Sequence, residues 1–366
     1  MIAVDLPGYG GSDSLPAYGP NEVLGSLTEF VIGVREQFLQ DGKKAVIISH
    51  DWGAVIAARL AAEAHVLADH WIITGGIVPG LQHSNGGNRI LLAKQMLRTW
   101  VRSPFNTGLL KNGLSALGPV AGQFRRSFYI FVFHLPPPFN NLFATFGNYW
   151  FLRVLHEFGK GPQSKSKKTI TTLNPVEAAE AMAISTGPGI AQLEKPSKSG
   201  ERYGESVRRR VSDRGMSEKI RIYRENLVFG KWEKSLETTV ALFNISSDAA
   251  SARSSNTAPR GALKAPATII LGEHDPAFDK RLALDNARDY LVKGSQVVII
   301  KGAGHWYVKL VKCIQPTCIL TMFRLPLEQV GRRALEKTLL WALHDDIGKK
   351  TIPFEAMSDV RILEAF

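Results

Sequence analysis

Five short runs of apolar, largely β-branched residues stand out along the chain, at residues 2–4, 45–48, 70–74, 268–271 and 296–300. Each is bounded by Gly, Ser, Asp or His, and each has the length of a buried strand rather than of a helix. Helical-period segments separate several of them, and that alternation predicts a mostly parallel α/β sheet with helices on both faces. Between Gly80 and Gly261 the pattern changes to aromatic, Pro-punctuated helical stretches, with Pro136-Pro137-Pro138 as a turn. The chain therefore divides into a first core part at 1–80, a helical cap and linker at 81–261, and a second core part at 262–366. Within the middle part, the Ser-, Ala-, Asn- and Thr-rich stretch 246–259 reads as a surface link back to the core.

Chemistry gathers at the carboxyl ends of three of these strands. The run Ala45-Val46-Ile47-Ile48 stops at Ser49-His50-Asp51-Trp52-Gly53, and an Ala-rich helical pattern begins at once. Small residues two places either side of a central residue are the mark of an elbow that pushes a nucleophile out of a tight strand-to-helix turn. Here the central residue is Asp51. A serine in that place needs a base, whereas a carboxylate is already ionised at neutral pH and suits displacement at a saturated carbon. The strand at 268–271 runs into Gly272-Glu273-His274-Asp275, and the strand at 296–300 into a Gly-rich loop that presents His305. Taken singly, each is weak: a histidine after a glycine-rich loop is most often structural, and Asp275 could simply close a turn. Taken in order, nucleophile, acid and histidine form a triad in which Asp275 orients the imidazole and His305 takes a proton from water.

These motifs resemble the α/β-hydrolase epoxide hydrolases. The resemblance rests on Asp5-Leu6-Pro7-Gly8-Tyr9-Gly10-Gly11-Ser12-Asp13, on His50-Asp51-Trp52-Gly53, on Asp275 and on Gly304-His305-Trp306. It covers most of the chain and implies an α/β-hydrolase fold with an inserted helical cap. Dehalogenases share the aspartate nucleophile, so the elbow alone leaves that alternative open. The resemblance further implies two cap tyrosines as acids for the departing epoxide oxygen. Tyr129 precedes Phe133-His134-Leu135-Pro136, with His where relatives carry Gln, and Tyr223 stands in Tyr223-Arg224 ahead of Trp232. Both could equally be packing residues; Tyr149, in an aromatic run, is the reserve. The implied reaction is attack of Asp51 on an oxirane carbon of a small-molecule epoxide, followed by hydrolysis of the alkyl ester to a vicinal diol. The Trp52 amide, at the start of a helix, is the expected oxyanion donor. In a dehalogenase the Trp52 indole would instead bind halide. That chemistry calls for no metal and no organic cofactor.

The ends of the pattern raise two further expectations. The resemblance places a His-Gly-x-Pro loop and three strands ahead of residues 2–4, and no such motif occurs here, so a longer native protein is expected. Without it the chain as written could be a catalytically silent homologue. Residues 307–324 interrupt the expected continuation from Trp306 to Leu325 and carry both cysteines, Cys313 and Cys318. They read as an insertion, and their codons are compatible with an unspliced intron; the alternative is a true surface loop, which costs little in closure entropy. The two cysteines have neither the spacing nor the neighbours of a metal or redox pair.

Composition adds bounds rather than chemistry. With 366 residues and 45% apolar content, the chain can bury one large core plus an insert. Two cysteines exclude a disulfide framework. No run of the length needed to span a bilayer is present. The net charge of +12 includes the basic clusters Lys165-Ser166-Lys167-Lys168 and Arg208-Arg209-Arg210. These suit either peripheral contact with an anionic surface or a solvated face, with a helix expected near 203–211. No docking motif for nucleic acid is present. The resemblance implies a cytoplasmic enzyme.

Overall fold

The computed structural model of the chain describes residues 2–9, 12–39, 43–159, 215–248, 258–305, 326–343 and 357–365. Several expected features therefore lie outside the described residues: the basic clusters and helix between 160 and 214, most of the 246–259 link, Trp306, and the insertion with Cys313 and Cys318. Contacts divide the chain into two compact units, Met1–Leu27 with Phe128–Glu157 and Lys165–Ser235, and Thr28–Ser127 with Phe158–Ser164 and Leu236–Phe366.

The second unit holds the sheet. Its strands among the described residues are β1 (Val46–His50), β2 (His70–Thr74), β3 (Ala267–Gly272), β4 (Gln296–Ile300) and β5 (Val360–Ala365), in the order β1-β2-β3-β4-β5. The first four are parallel and β5 is antiparallel to β4. Every residue of β2, β3 and β4 is buried, as expected of strands covered on both faces. On one face Ile72, Ile270, Val298 and Ile300 pack with Ala334, Leu335 and Leu339 of a helix at Pro326–Leu343. Alternation along the strands turns Trp71, Ile73, Ile269 and Leu271 to the other face, where they too are buried. Helix α1 (Pro20–Phe38) precedes β1 in the chain, and helix α2 (Trp52–Glu63) follows it directly, its Ala-rich sequence giving it a close-packed buried side.

One sequence expectation needs correction. Residues 2–4 form no strand: they are coil, and Ile2 and Val4 are each 48% exposed. A strand needs a ladder partner for its backbone groups, and among the described residues β1, at the edge of the sheet, pairs only with β2. β5, by contrast, was not foreseen. By contacts, helices α3 (Pro79–Arg102) and α4 (Thr107–Arg126) group with the sheet-bearing unit. Polar clamps hold them there. Asn85 Nδ2 donates to the carbonyls of Leu282 and Asp285 at 3.0 and 2.6 Å, and Gln123 Nε2 donates to the Ala277 carbonyl at 3.1 Å. In return the Asp279 amide donates to Gln123 Oε1 at 2.8 Å.

The first unit combines residues 2–27 with helices α5 (Phe128–His134) and α6 (Phe139–Gly159) and two short helical turns at Gly215–Lys219 and Arg221–Arg224. Gly8 turns at φ 78°, and a Cβ there would stand 2.0 Å from the Tyr18 hydroxyl. That hydroxyl donates to Glu218 Oε1 at 2.8 Å, and Arg221 lies 4.7 Å from the centre of the Tyr18 ring. The Asp5–Asp13 motif thus ends against residues that flank Tyr223.

Candidate active site

The turn between β1 and α2 sets Asp51 apart from the rest of the backbone. Its φ and ψ are 52° and −123°, a conformation that costs a non-glycine residue of order 1–3 kcal/mol. The surroundings over-determine it. The Asp51 amide donates to the Thr74 carbonyl at 3.1 Å, and the Asp51 carbonyl accepts from the amides of Ala54 and Val55 at 3.0 and 3.2 Å. Gly76 is required beside it, since a Cβ there would meet the Ala54 side chain at 2.3 Å. The side chain so projected keeps 41% of its surface open.

Asp275 and His305 come from loops that close on each other beyond β3 and β4. The Glu273 and His274 amides donate to the carbonyls of Ile300 and Ala303 at 2.9 and 2.7 Å, and Glu273 Oε2 accepts from the Gly302 amide at 2.8 Å. Gly272 admits this approach because it has no side chain: a Cβ there would lie 2.2 Å from the Gly304 carbonyl oxygen. His305 Nδ1 then donates to Asp275 Oδ2 at 2.9 Å, and its Nε2 stands 3.3 Å from Asp51 Oδ1. The other oxygen of Asp275 accepts from the Ala277 amide at 2.8 Å, which fixes the carboxylate plane. The Asp275 side chain is fully buried and that of His305 nearly so.

Charge coupling follows from this geometry. Burial works against a charged imidazole, but the carboxylates of Asp275 and then Asp51 reverse it and raise His305 to about 10. For Asp51, desolvation in its recess pushes the carboxyl up. The hydrogen bond and charge of His305, with help from the Trp52 amide, more than offset this and leave it below the usual carboxylate range. At neutral pH this coupling favours an imidazolium between the two carboxylates.

The sequence motif named His50 without a role, and the structure supplies its setting. The His50 ring lies 5.0 Å from that of His305, centre to centre. Thr74 Oγ1 donates its one proton to the Ser49 carbonyl at 2.7 Å, so toward His50 Nδ1, 3.0 Å away, it must accept. His50 therefore carries its proton on Nδ1. Burial, and then the charge of His305, push His50 down to about 4, so the site keeps a single imidazolium. Gly75, at φ 54°, leaves room for both rings: a Cβ there would stand 2.6 Å from His50 and 3.3 Å from His305. The pair Gly75-Gly76 after a strand is a signal that sequence reading could have used.

Tyr129 and Tyr223 meet within the first unit. Their ring centres are 6.0 Å apart and near perpendicular, and both border Phe133, which is buried with Phe151 and Ile220. Trp52 begins α2, where its amide faces the Asp51 carboxylate. Tyr149 falls within α6, and its side chain lies outside what is described.

Comparison with known proteins gives one family match and several structural likenesses. A family model described as "Alpha/beta hydrolase family" matches residues 1–309. None of the curated proteins matches the chain. Among solved structures, an epoxide hydrolase from Bacillus megaterium in complex with an inhibitor is 16% identical, covering 93% of this chain and 81% of that one, with a TM-score of 0.43. A point mutant of the Bacillus megaterium enzyme with its naphthyloxypropanediol product gives 15% identity over the same shares and the same TM-score. A candidate epoxide hydrolase from Pseudomonas aeruginosa is 15% identical, covering 82% of this chain and 71% of that one, with a TM-score of 0.38.

Proposed function

The chain belongs to the alpha/beta hydrolase family, and on that footing we propose that it opens epoxides to vicinal diols through a covalent ester on Asp51. The observation that carries this reading is a carboxylate, rather than a hydroxyl, at the strained elbow, 3.3 Å from the Nε2 of a histidine held by a second, buried carboxylate. A carboxylate attacks carbon without deprotonation, so the neighbouring histidine is kept for the step after attack.

In the first step an Asp51 oxygen bonds to an oxirane carbon and the carbon–oxygen bond of the ring breaks. The electron pair goes to the ring oxygen, which takes a proton. That proton is assigned to Tyr129 and Tyr223, whose hydroxyl chemistry and shared aromatic cluster support the choice. In the second step water adds to the ester carbonyl, its proton passing to His305 Nε2 while the Trp52 amide stabilises the oxyanion. Collapse of that adduct expels the second alkoxide, which takes its proton from the His305 imidazolium and leaves as the diol, while the Asp51 carboxyl so formed ionises and the tyrosine regains its proton through solvent.

The raised pKa of His305 fits this order. Once Asp51 is an ester its charge is gone, and with it the hydrogen bond and attraction that help keep the imidazole protonated. The histidine then becomes a base only when there is an intermediate to hydrolyse. Asp275 remains to orient the ring and to stabilise the imidazolium formed on proton transfer.

A single turnover in heavy-oxygen water tests the reading with styrene oxide as probe. The expected diol carries oxygen from the protein in the first cycle, and a His305→Gln variant accumulates an alkyl adduct on Asp51. Solvent oxygen entering the diol at once would overturn the ester route. Halide release from haloalkanes, with no diol from epoxides, would assign the same elbow to dehalogenation.

A further inference from the structure

No aspartate or glutamate occurs between Asp69 and Glu157. In the sheet-bearing unit this stretch builds the α3–α4 hairpin, which carries seven basic residues and no acid from Pro79 to Arg126. Two of the seven turn to the unit's own carboxylates: Arg89 pairs with Asp285 at 2.7 Å, and Arg126 adds its charge to that around Asp279. Lys94, Arg98, Arg102, Lys111 and Arg125 are exposed, and among the described residues the first four make no ion pair.

The same hairpin shows large apolar side chains to solvent. Phe105, in the connection between the helices, is 98% exposed, Val101 71% and Leu91 63%. The connection is held in shape rather than loose. The Ser103 amide donates to the carbonyls of Thr99 and Trp100 at 3.1 and 2.9 Å, Trp100 Nε1 donates to the Pro104 carbonyl at 3.0 Å, and Asn106 caps α4. Beside it a groove with a cavity volume of about 380 Å³ is lined by Ile90, Leu97, Val101 and Leu117, with Lys94 and Arg98 on the same wall. Apolar surface and cations are thus interleaved on one element, the arrangement of segments that lie in the boundary between headgroups and acyl chains.

From this we infer that the α3–α4 hairpin docks the protein onto an anionic bilayer surface, with Phe105 and the groove residues entering the boundary and the basic side chains meeting lipid phosphates and carboxylates. Charge disfavours the simplest competitor, a second copy paired hairpin to hairpin, since that would bring cations together. A nucleic acid would satisfy the cations but leave Phe105, Val101 and Leu91 in water. Among the described residues no helix is long and apolar enough to cross a membrane. The geometry is that of an element lying on the surface.

The test is flotation of the full chain with vesicles of phosphatidylcholine containing one phosphatidylserine in three lipids, beside vesicles of phosphatidylcholine alone. The expected result is binding to the first kind only, weakened by added salt as exposed charges are screened. Lys94→Gln with Arg98→Gln should lower partition about thirty-fold, the factor that two basic residues carry near an anionic leaflet. Phe105→Ser should lower it about tenfold, and Phe105→Leu, which keeps an apolar tip, should bind as the parent does. Thermal melts show that each variant is folded. A folded parent that ignores the phosphatidylserine vesicles overturns the proposal. So does binding that neither the Lys94 and Arg98 changes nor Phe105→Ser weakens, and so does a Phe105→Ser effect on self-association with vesicle binding intact.

Discussion

The strand-end loops and the aromatic cluster of α5 hold their chemical groups in different ways. Asp51, Asp275 and His305 hang from β1, β3 and β4, whose registers are set by continuous parallel ladders. Beyond the strands, backbone amides and glycine clearances fix each loop, so that His305 meets Asp275 at 2.9 Å. Tyr129 and Tyr223 are set instead by ring packing around Phe133. Hydrogen-bonded strand ends specify position to a fraction of an ångström. Packed rings specify a neighbourhood through shape and ring geometry.

Replacing both tyrosines tests the softer region and carries the largest effect. Tyr129→Phe with Tyr223→Phe should slow ester formation by about 10²–10⁴-fold, the usual worth of general acid catalysis. Hydrolysis of an ester already formed should be little changed. Rapid-mix measurement of the two half-reactions separates them, and equal loss in both would show that the pair is structural.

Gly272→Ala probes the stiffer region. Its Cβ would meet the backbone oxygens of Gly304 and Ala303 at 2.2 and 2.7 Å, and neither can swing aside as a side chain would. A cost of about 1–3 kcal/mol is expected from overpacking, read as a lower melting temperature. Both half-reactions should fall as well, because the loops of Asp275 and His305 part. Unchanged stability with unchanged rates would mean that the close approach of those loops is not needed.

The smallest effect is in pH. His305 is raised in the folded protein from its ordinary 6.5 to about 10. A group raised on folding contributes its full stabilisation below 6.5 and loses it as pH climbs through about 10. The melting temperature should therefore decline between these values, and decline less in His305→Gln. A parallel decline in both proteins would place the coupling elsewhere.

Much of this arrangement was legible from residues alone. The 70–74 and 296–300 runs are the observed β2 and β4, and the abrupt change from β-branched to Ala-rich sequence at Asp51 located the elbow. Short-range pattern does not reveal partners. Residues 2–4 had the composition of a strand yet join no ladder among the described residues, while residues 360–365 found one beside β4. Likewise α3 and α4 read as part of the cap from their helical pattern. It is Asn85 and Gln123, reaching loops far along the chain, that tie them to the sheet unit. The role of His50 was hidden for the same reason: its proton is placed by Thr74, on the neighbouring strand.

By itself, then, the order of residues determined a carboxylate at the elbow, an alternation of strand and helix, and an acid-free run with its excess of positive charge. These are properties of neighbours along the chain, where periodicity and side-chain chemistry act directly. The tertiary structure decided which strands pair, which glycines let two loops touch, and what charge His305 carries. Those depend on distances between groups remote in sequence, and hydrogen bonding, steric clearance and Coulomb coupling all change sharply over a few ångströms.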